Sequence, residues 1–131
     1  NIFVSVNEND KRKKTIDIIE KYVKLGFGLV ATAGTSKFLN ENGIESETVF
    51  KVNEGRPNVV DRIKNGDIQI VINTPLGSES RYDEYAIGWE AVQSKIPFIT
   101  TLSAASSFAE GIAYIKTGNI EVKSLQDYYK Q

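Results

Sequence analysis

Leu29-Val30-Ala31-Thr32-Ala33-Gly34-Thr35-Ser36-Lys37 is the stretch whose residue types most directly suggest chemistry. An apolar run ends in two threonines and a glycine, and a helix-compatible segment, Ser36 to Asn42, follows at once. Strand, small hydroxylated turn and helix in that order aim backbone N–H groups and hydroxyls at one place. The first turn of a helix has unpaired donors and a partial positive charge, so that place suits an anion. A phosphate pocket is one reading. The other is that Thr35 or Ser36 merely caps the helix, as threonine and serine often do.

A second cluster is basic. Lys11, Arg12, Lys13 and Lys14 fall in the first turns of an expected helix, where the helix dipole disfavours cations. They read either as a solvated face or as a source of one lysine that leans over a nearby anion.

Composition narrows the chemistry further. The 131 residues contain no cysteine, which excludes disulfides, thiol nucleophiles and cysteine-bound metals. With no histidine, the commonest general base and metal ligand near neutral pH is missing. Net charge is −1, giving no global reason to expect nucleic acid or an anionic membrane as partner. No apolar run approaches the ~20 residues needed to span a bilayer and no signal-peptide pattern opens the chain, so a cytoplasmic location is expected. The chain has no methionine and opens on Asn1, one residue before an apolar run, so a domain cut from a longer polypeptide is expected.

The elements that must position these residues alternate. Ile2 to Val6 reads as a buried strand, and Asn9 or Asp10 as the cap of a helix that runs to Leu25 and stops at Gly26. Phe27 to Ala31 is a second strand, and Gly43 ends the helix after it. Glu47 to Val52 reads as a third strand. Pro57 suits the first position of a helix carrying Val59, Val60 and Ile63 and ended by Gly66. Ile68 to Asn73 is a fourth strand whose unbroken apolar run implies burial on both faces. A turn-rich segment from Thr74 to Ser80 precedes a helix from about Asp83 to Ser94, with Ile87, Trp89 and Val92. Pro97 to Thr100 is a short fifth strand. The helix from about Ser103 to Thr117 is expected to turn Ala105, Phe108, Ala109, Ile112 and Ile115 to the core, with Gly118 as its stop. Ile120 to Val122 and a short helix ending at Tyr128-Tyr129 complete the reading.

This alternation implies a single doubly wound α/β domain over residues 1–131, with a five-stranded parallel sheet covered on both faces. All strand C-termini then lie on one edge, where such folds bind ligands. Asn7, Thr32 with Thr35, Lys51, Asn73 with Thr74, and Thr100 with Thr101 leave that edge. Hydroxyls, amides and one lysine describe a binding pocket better than a catalytic one. Thr100-Thr101 is read as a helix cap, and Asp61 with Arg62 as a solvated helix face. GxGxxG after the first strand, Walker A and GxSxG are absent, and Ser–His–Asp is excluded by composition. Asp83 and Glu84 are adjacent on a helix and point apart, so they are not read as paired catalytic carboxylates.

Taken together, FVSVNENDK (3–11), LGFGLVATAGTSKFLNENGI (25–44), VFKVNEGRPNVVDRIKNGDIQIVINTPLG (49–77), RYDEYAIGWEAV (81–92) and IPFITTL (96–102) form an ordered pattern. It resembles the methylglyoxal-synthase-like domain, and specifically the C-terminal regulatory domain of the carbamoyl-phosphate synthetase large subunit. KVNEGRPNVVDRIKNG followed by VINTP is the specific part; SV…DK and AT.GT are shared across the superfamily. The resemblance implies a non-catalytic allosteric domain without a cofactor that binds a nucleotide effector such as UMP, IMP or phosphoribosyl pyrophosphate. It also implies association with the rest of the large subunit, with the glutaminase small subunit and with further copies. It assigns the effector phosphate to Lys11, Thr32, Thr35 and Lys51, and places Asn73 with Thr74 near the nucleotide.

Two departures from the family pattern matter. The first helix carries one extra residue in KRKK, which makes Lys13 or Lys14 an alternative to Lys11. Pro75 stands where some members have another hydroxyl, leaving the choice of purine or pyrimidine open. Methylglyoxal synthase itself, with its catalytic aspartate and histidine, is the enzymatic alternative. Its SGP.GGD loop is replaced here by NTPLGSES. The cyclohydrolase domain of bifunctional purine biosynthesis, which shares the SV.DK and GGT elements but whose GR.KTLHP segment is absent here, is a second enzymatic alternative.

Overall fold

The computed structural model describes residues 1–74 and 81–116, and for 81–83 the backbone only. Strand β1 (Ile2–Ser5) is followed by a 3₁₀ turn (Glu8–Asp10) and helix α1 (Lys13–Lys24). Then come β2 (Leu29–Ala31), α2 (Ala33–Glu41), β3 (Glu47–Thr48), α3 (Val59–Lys64), β4 (Ile70–Asn73), α4 (Arg81–Gln93), β5 (Phe98–Ile99) and α5 (Leu102–Lys116). The five strands form one sheet in the order β3-β2-β1-β4-β5, and every pairing is parallel. Helices cover both faces, which makes this the doubly wound α/β domain expected from the sequence.

Period-two alternation divides the core in two. Ile2, Val4, Ala31, Ile70 and Ile72 pack with Ile16, Ile19 and Tyr22 of α1, Leu39 of α2, and Leu102, Ala105 and Ala109 of α5. Phe3, Val30 and Val71 point the other way, toward Val59 and Ile63 of α3 and Ile87 and Ala91 of α4. All residues of β1 and β4 are buried, because the central strands have helices on each side. Leaving α1, the chain needs a left-handed residue before β2, which Gly26 supplies at φ +96°.

Local side-chain bonding moves several element ends. Neither Asn9 nor Asp10 caps α1: Asn7 Oδ1 accepts from the Asp10 N–H at 2.9 Å, which winds the 3₁₀ turn and delays the helix to Lys13. Pro57 lies one residue before a cap rather than inside the helix. Asn58 Oδ1 accepts from Val60 N and Asp61 N while Asp61 Oδ2 accepts from Asn58 N, a complete capping box. Strand β3 stops at Thr48, with only an isolated bridge from Phe50 to Asn58 beyond it.

Asp61 and Arg62 are not a solvated face. The Arg56 guanidinium, and then the Asn58 N–H, hold the Asp61 carboxyl below the usual carboxylate range. Arg62, its side chain 17% exposed, bonds both oxygens of Glu47 and also Asp67. Phe108 and Ile115 are exposed, because α5 seats itself through Leu102, Ala105 and Ala109. Trp89 and Val92 also face outward from α4, Trp89 stacked on Tyr85 at a centroid distance of 6.5 Å. Thr101 caps α5 by accepting from the Ala104 N–H, as expected. The turn segment beyond Thr74, Gly118, Ile120–Val122 and Tyr128-Tyr129 lie outside the described residues.

Helices α1 and α5 are joined by a buried bond: the Tyr22 hydroxyl donates to the Ala105 carbonyl at 2.5 Å. Burial pushes the Tyr22 pKa from its ordinary 10.0 to about 12. The folded state therefore holds the phenolic proton more tightly than the unfolded state. This contribution is complete below pH 10 and is lost as pH rises toward 12. Tyr22→Phe is expected to cost about 1 kcal/mol at pH 7. In urea denaturation the gap between the two proteins should narrow above pH 10; a constant gap up to pH 12 would contradict the burial of this hydroxyl in the folded state.

Candidate functional site

The sheet order reverses between β1 and β4, since β2 and β3 extend one way from β1 and β5 lies beyond β4. Open α/β sheets bind ligands at the C-terminal edge beside such a switch. Ser5 and Asn73 are the paired final residues of β1 and β4 there; Asn7 and Thr74 follow them in sequence, and Thr32 and Thr35 follow β2. Thr32, Thr35, Asn73 and Thr74 are each no more than 5% exposed, although all four are polar.

Their burial is compensated by an ordered set of bonds. Where β1 ends, the Val6 N–H donates to Thr35 Oγ1 at 3.1 Å and the Asn7 N–H to Thr74 Oγ1 at 2.9 Å. Thr74 N donates back to the Ser5 carbonyl at 2.9 Å, closing β4 against β1. The Thr32 hydroxyl donates to Thr35 Oγ1 at 3.4 Å and also meets Ser5 Oγ at 3.2 Å, a contact in which either oxygen can donate. Thr35 Oγ1 accepts two bonds, and its own proton has no acceptor among the described residues.

Helix α2 starts one turn earlier than its sequence suggests. Thr32 is the N-cap residue, and Thr35 and Ser36 stand inside the first turn rather than before it. The Thr32 side chain makes no capping bond; its hydroxyl instead contacts Ser5 and Thr35. The first-turn N–H groups therefore lack the side-chain acceptor that an N-cap normally provides. Ser36 instead joins Ser46 and Thr48 in a second hydroxyl cluster, at 2.7 and 3.1 Å.

Lys11 reaches this turn. Its Nζ lies 3.2 Å from the position that a Cβ on Gly34 would occupy, so the absent side chain is what gives the ammonium its seat. Lys13 and Lys14 are exposed, and Lys14 lines a cleft of about 290 Å³ that shares Thr74 with this edge and adds Asp10, Arg12 and residues 100–103. Lys51 leaves the same sheet edge three residues after β3, half-buried, its backbone N–H donating to Glu54 at 2.8 Å. Among the described residues, no hydrogen bond or ion pair joins the Lys51 ammonium to another side chain, and none connects it to Thr32 or Thr35. The structure therefore brings together Ser5, Lys11, Thr32, Thr35, Asn73 and Thr74, with Lys51 on the same edge but not in contact.

Two participants escape the sequence reading. Ser5 looks like one more strand residue, and Glu8, which pairs with Lys11 at 2.5 Å, like a loop acid. The three-residue interval between Glu8 and Lys11 is the one sequence signal for that pair. The arrangement offers hydroxyl protons, helix N–H groups and an ammonium, which together fit an oxyanion. Among the described residues, no group of three or more acidic side chains could hold a metal ion. No described helix is long and apolar enough to cross a membrane.

Residues 14–100 match the MGS-like domain family, and the chain belongs to that family. It is 49% identical, over 95% of its length, to the carbamoyl phosphate synthase large chain of Acidobacterium capsulatum. Against the carbamoyl phosphate synthase large chain, C-terminal section, it is 45% identical in Aquifex aeolicus over 98% of its length and 45% in Methanopyrus kandleri over 97%. The chain spans 11% of the first of these relatives and 25% and 23% of the other two.

Thr35 has a structural duty besides any ligand. Thr35→Val removes the acceptor of the buried Val6 N–H and should cost about 1–3 kcal/mol, whereas Thr35→Ser should retain most of the stability. Chemical denaturation of the two variants checks this. Equal stability of Thr35→Val and wild type would remove Thr35 from the junction.

Proposed function

We propose, with membership of the MGS-like family as the premise, that this chain is the effector-binding regulatory domain of a carbamoyl phosphate synthase large chain. In this reading it holds the phosphate of a nucleotide effector such as UMP, IMP or phosphoribosyl pyrophosphate, and performs no chemistry itself. The observation that carries the reading is the seat of the Lys11 ammonium over Gly34, in a first helical turn whose N-cap hydroxyl is engaged elsewhere.

Each donor has a task. The Thr35 proton and the first-turn N–H groups of α2 meet phosphate oxygens, and Lys11 balances their charge. Lys51 closes on the phosphate from the β3 side. Asn73 and Thr74, at the β1–β4 switch, face the sugar or base. A phosphate so held has no histidine beside it to move a proton, since the chain contains none. Regulation then consists of a difference in effector affinity between states of the larger synthase, whose remaining large-chain domains and glutaminase subunit are the partners. The ATP-dependent ligase reaction belongs to that assembly.

Isothermal titration of UMP, IMP and phosphoribosyl pyrophosphate against the chain tests the reading. At least one should bind, and Lys11→Ala and Lys51→Ala should each weaken it about tenfold or more, the worth of one charge-assisted bond. Lack of binding by all three well into the millimolar range would refute it. Formation of methylglyoxal from dihydroxyacetone phosphate would refute the non-catalytic part.

A further inference from the structure

The lysine that serves the anion site is already occupied. The 3₁₀ turn at Glu8–Asp10, closed by Asn7 Oδ1 on the Asp10 N–H, continues through a Lys11 N–H bond to the Glu8 carbonyl at 3.2 Å. At three residues per turn, side chains at i and i+3 eclipse, so Glu8 and Lys11 are stacked by the backbone itself. Glu8 Oε1 stands 2.5 Å from Lys11 Nζ. The two ends differ sharply in exposure: the Lys11 side chain is 17% exposed and the Glu8 side chain 86%. Lys11 is therefore fixed at Gly34, while Glu8 reaches in from solvent and can leave at little cost.

Resting on the phosphate site proposed above, we infer that Glu8 is an affinity-setting residue that competes with the bound phosphate for Lys11. The ammonium cannot give its full charge to both acceptors, and two anions on one lysine repel. A phosphate entering over the first turn of α2 displaces the carboxylate into water. The intrinsic affinity of the site is thereby reduced by the fraction of molecules in which Lys11 is free. Asp10 does not share this role: its carboxylate faces Arg12 at 4.0 Å. Lys13 and Lys14 are exposed and do not replace Lys11 at Gly34.

Inorganic phosphate is the probe, followed through the Gly34 amide resonance of the 131-residue chain at low ionic strength. Glu8→Gln keeps the shape and removes the charge, and should tighten phosphate binding about two- to fivefold, the range for releasing one exposed ion pair. In a Lys11→Ala background the same change should give no gain, because the competition is for that lysine. Unchanged or weaker binding in Glu8→Gln overturns the inference, as does an equal gain in both backgrounds. It is equally overturned if neither protein shifts the Gly34 resonance with phosphate. Phosphate binding at Gly34 without nucleotide binding would leave the Glu8 inference standing and remove the nucleotide reading.

Discussion

A parallel sheet that stops leaves backbone N–H groups with no further strand residue to accept from them. Just beyond β1, that need arises at Val6 and Asn7. It is met by side chains, Thr35 for the first and Thr74 for the second. Leaving such a group unpaired and buried would cost about 1–3 kcal/mol, comparable to a large part of a small domain's margin. The positions of α2 and of the β4 exit follow from those two bonds. So does the chemistry of the edge, because the hydroxyls that satisfy the backbone are also those that gather at the switch point. Ser5, Thr32 and Thr35 form a row of hydroxyls in contact with one another. The Thr35 proton at its end has no acceptor among the described residues.

Charge is arranged around this junction with similar economy. Helix α2 presents a first turn without its usual side-chain cap, and the ammonium that is seated there among the described residues comes from a different element, the turn after β1. That turn is wound by Asn7, whose backbone N–H is in turn held by Thr74. The lysine is thus positioned through the same β1–β4 contact that positions the hydroxyls. Away from the site, Arg62 gathers Glu47 and Asp67, fixing the short edge strand β3 to the loop before β4. This anchors the element from which Lys51 departs.

The layered fold was legible in the apolar runs of the sequence. Ile2–Val6 and Ile68–Asn73 read as strands buried on both faces, and the central pair of strands is composed of those residues. The element ends were less legible, for identifiable reasons. Asn7 outcompetes Asn9 and Asp10 as a cap because its side chain closes a 3₁₀ turn first. Asn58 and Asp61 bond one another, so the helix starts after Pro57 rather than at it. Periodicity assigned Phe108 and Ile115 to the core of α5, but that helix packs through a narrow stripe of Leu102, Ala105 and Ala109, which leaves them outside. Within the site, threonine and lysine types were visible, whereas Ser5 and Glu8 were not. Their roles come from strand register and from the eclipsing of a 3₁₀ turn, which residue type alone does not signal.

The central claim is that one phosphate sits over the first turn of α2, held by Thr35 and Lys11. A crystal structure of the chain with saturating IMP or UMP tests it most directly. Phosphate oxygens are expected within hydrogen-bond distance of Thr35 Oγ1, the first-turn N–H groups of α2 and Lys11 Nζ, with Glu8 turned away. A phosphate found instead in the cleft beside Lys14 and Thr101, or one bound while Lys11 stays on Glu8, would contradict it.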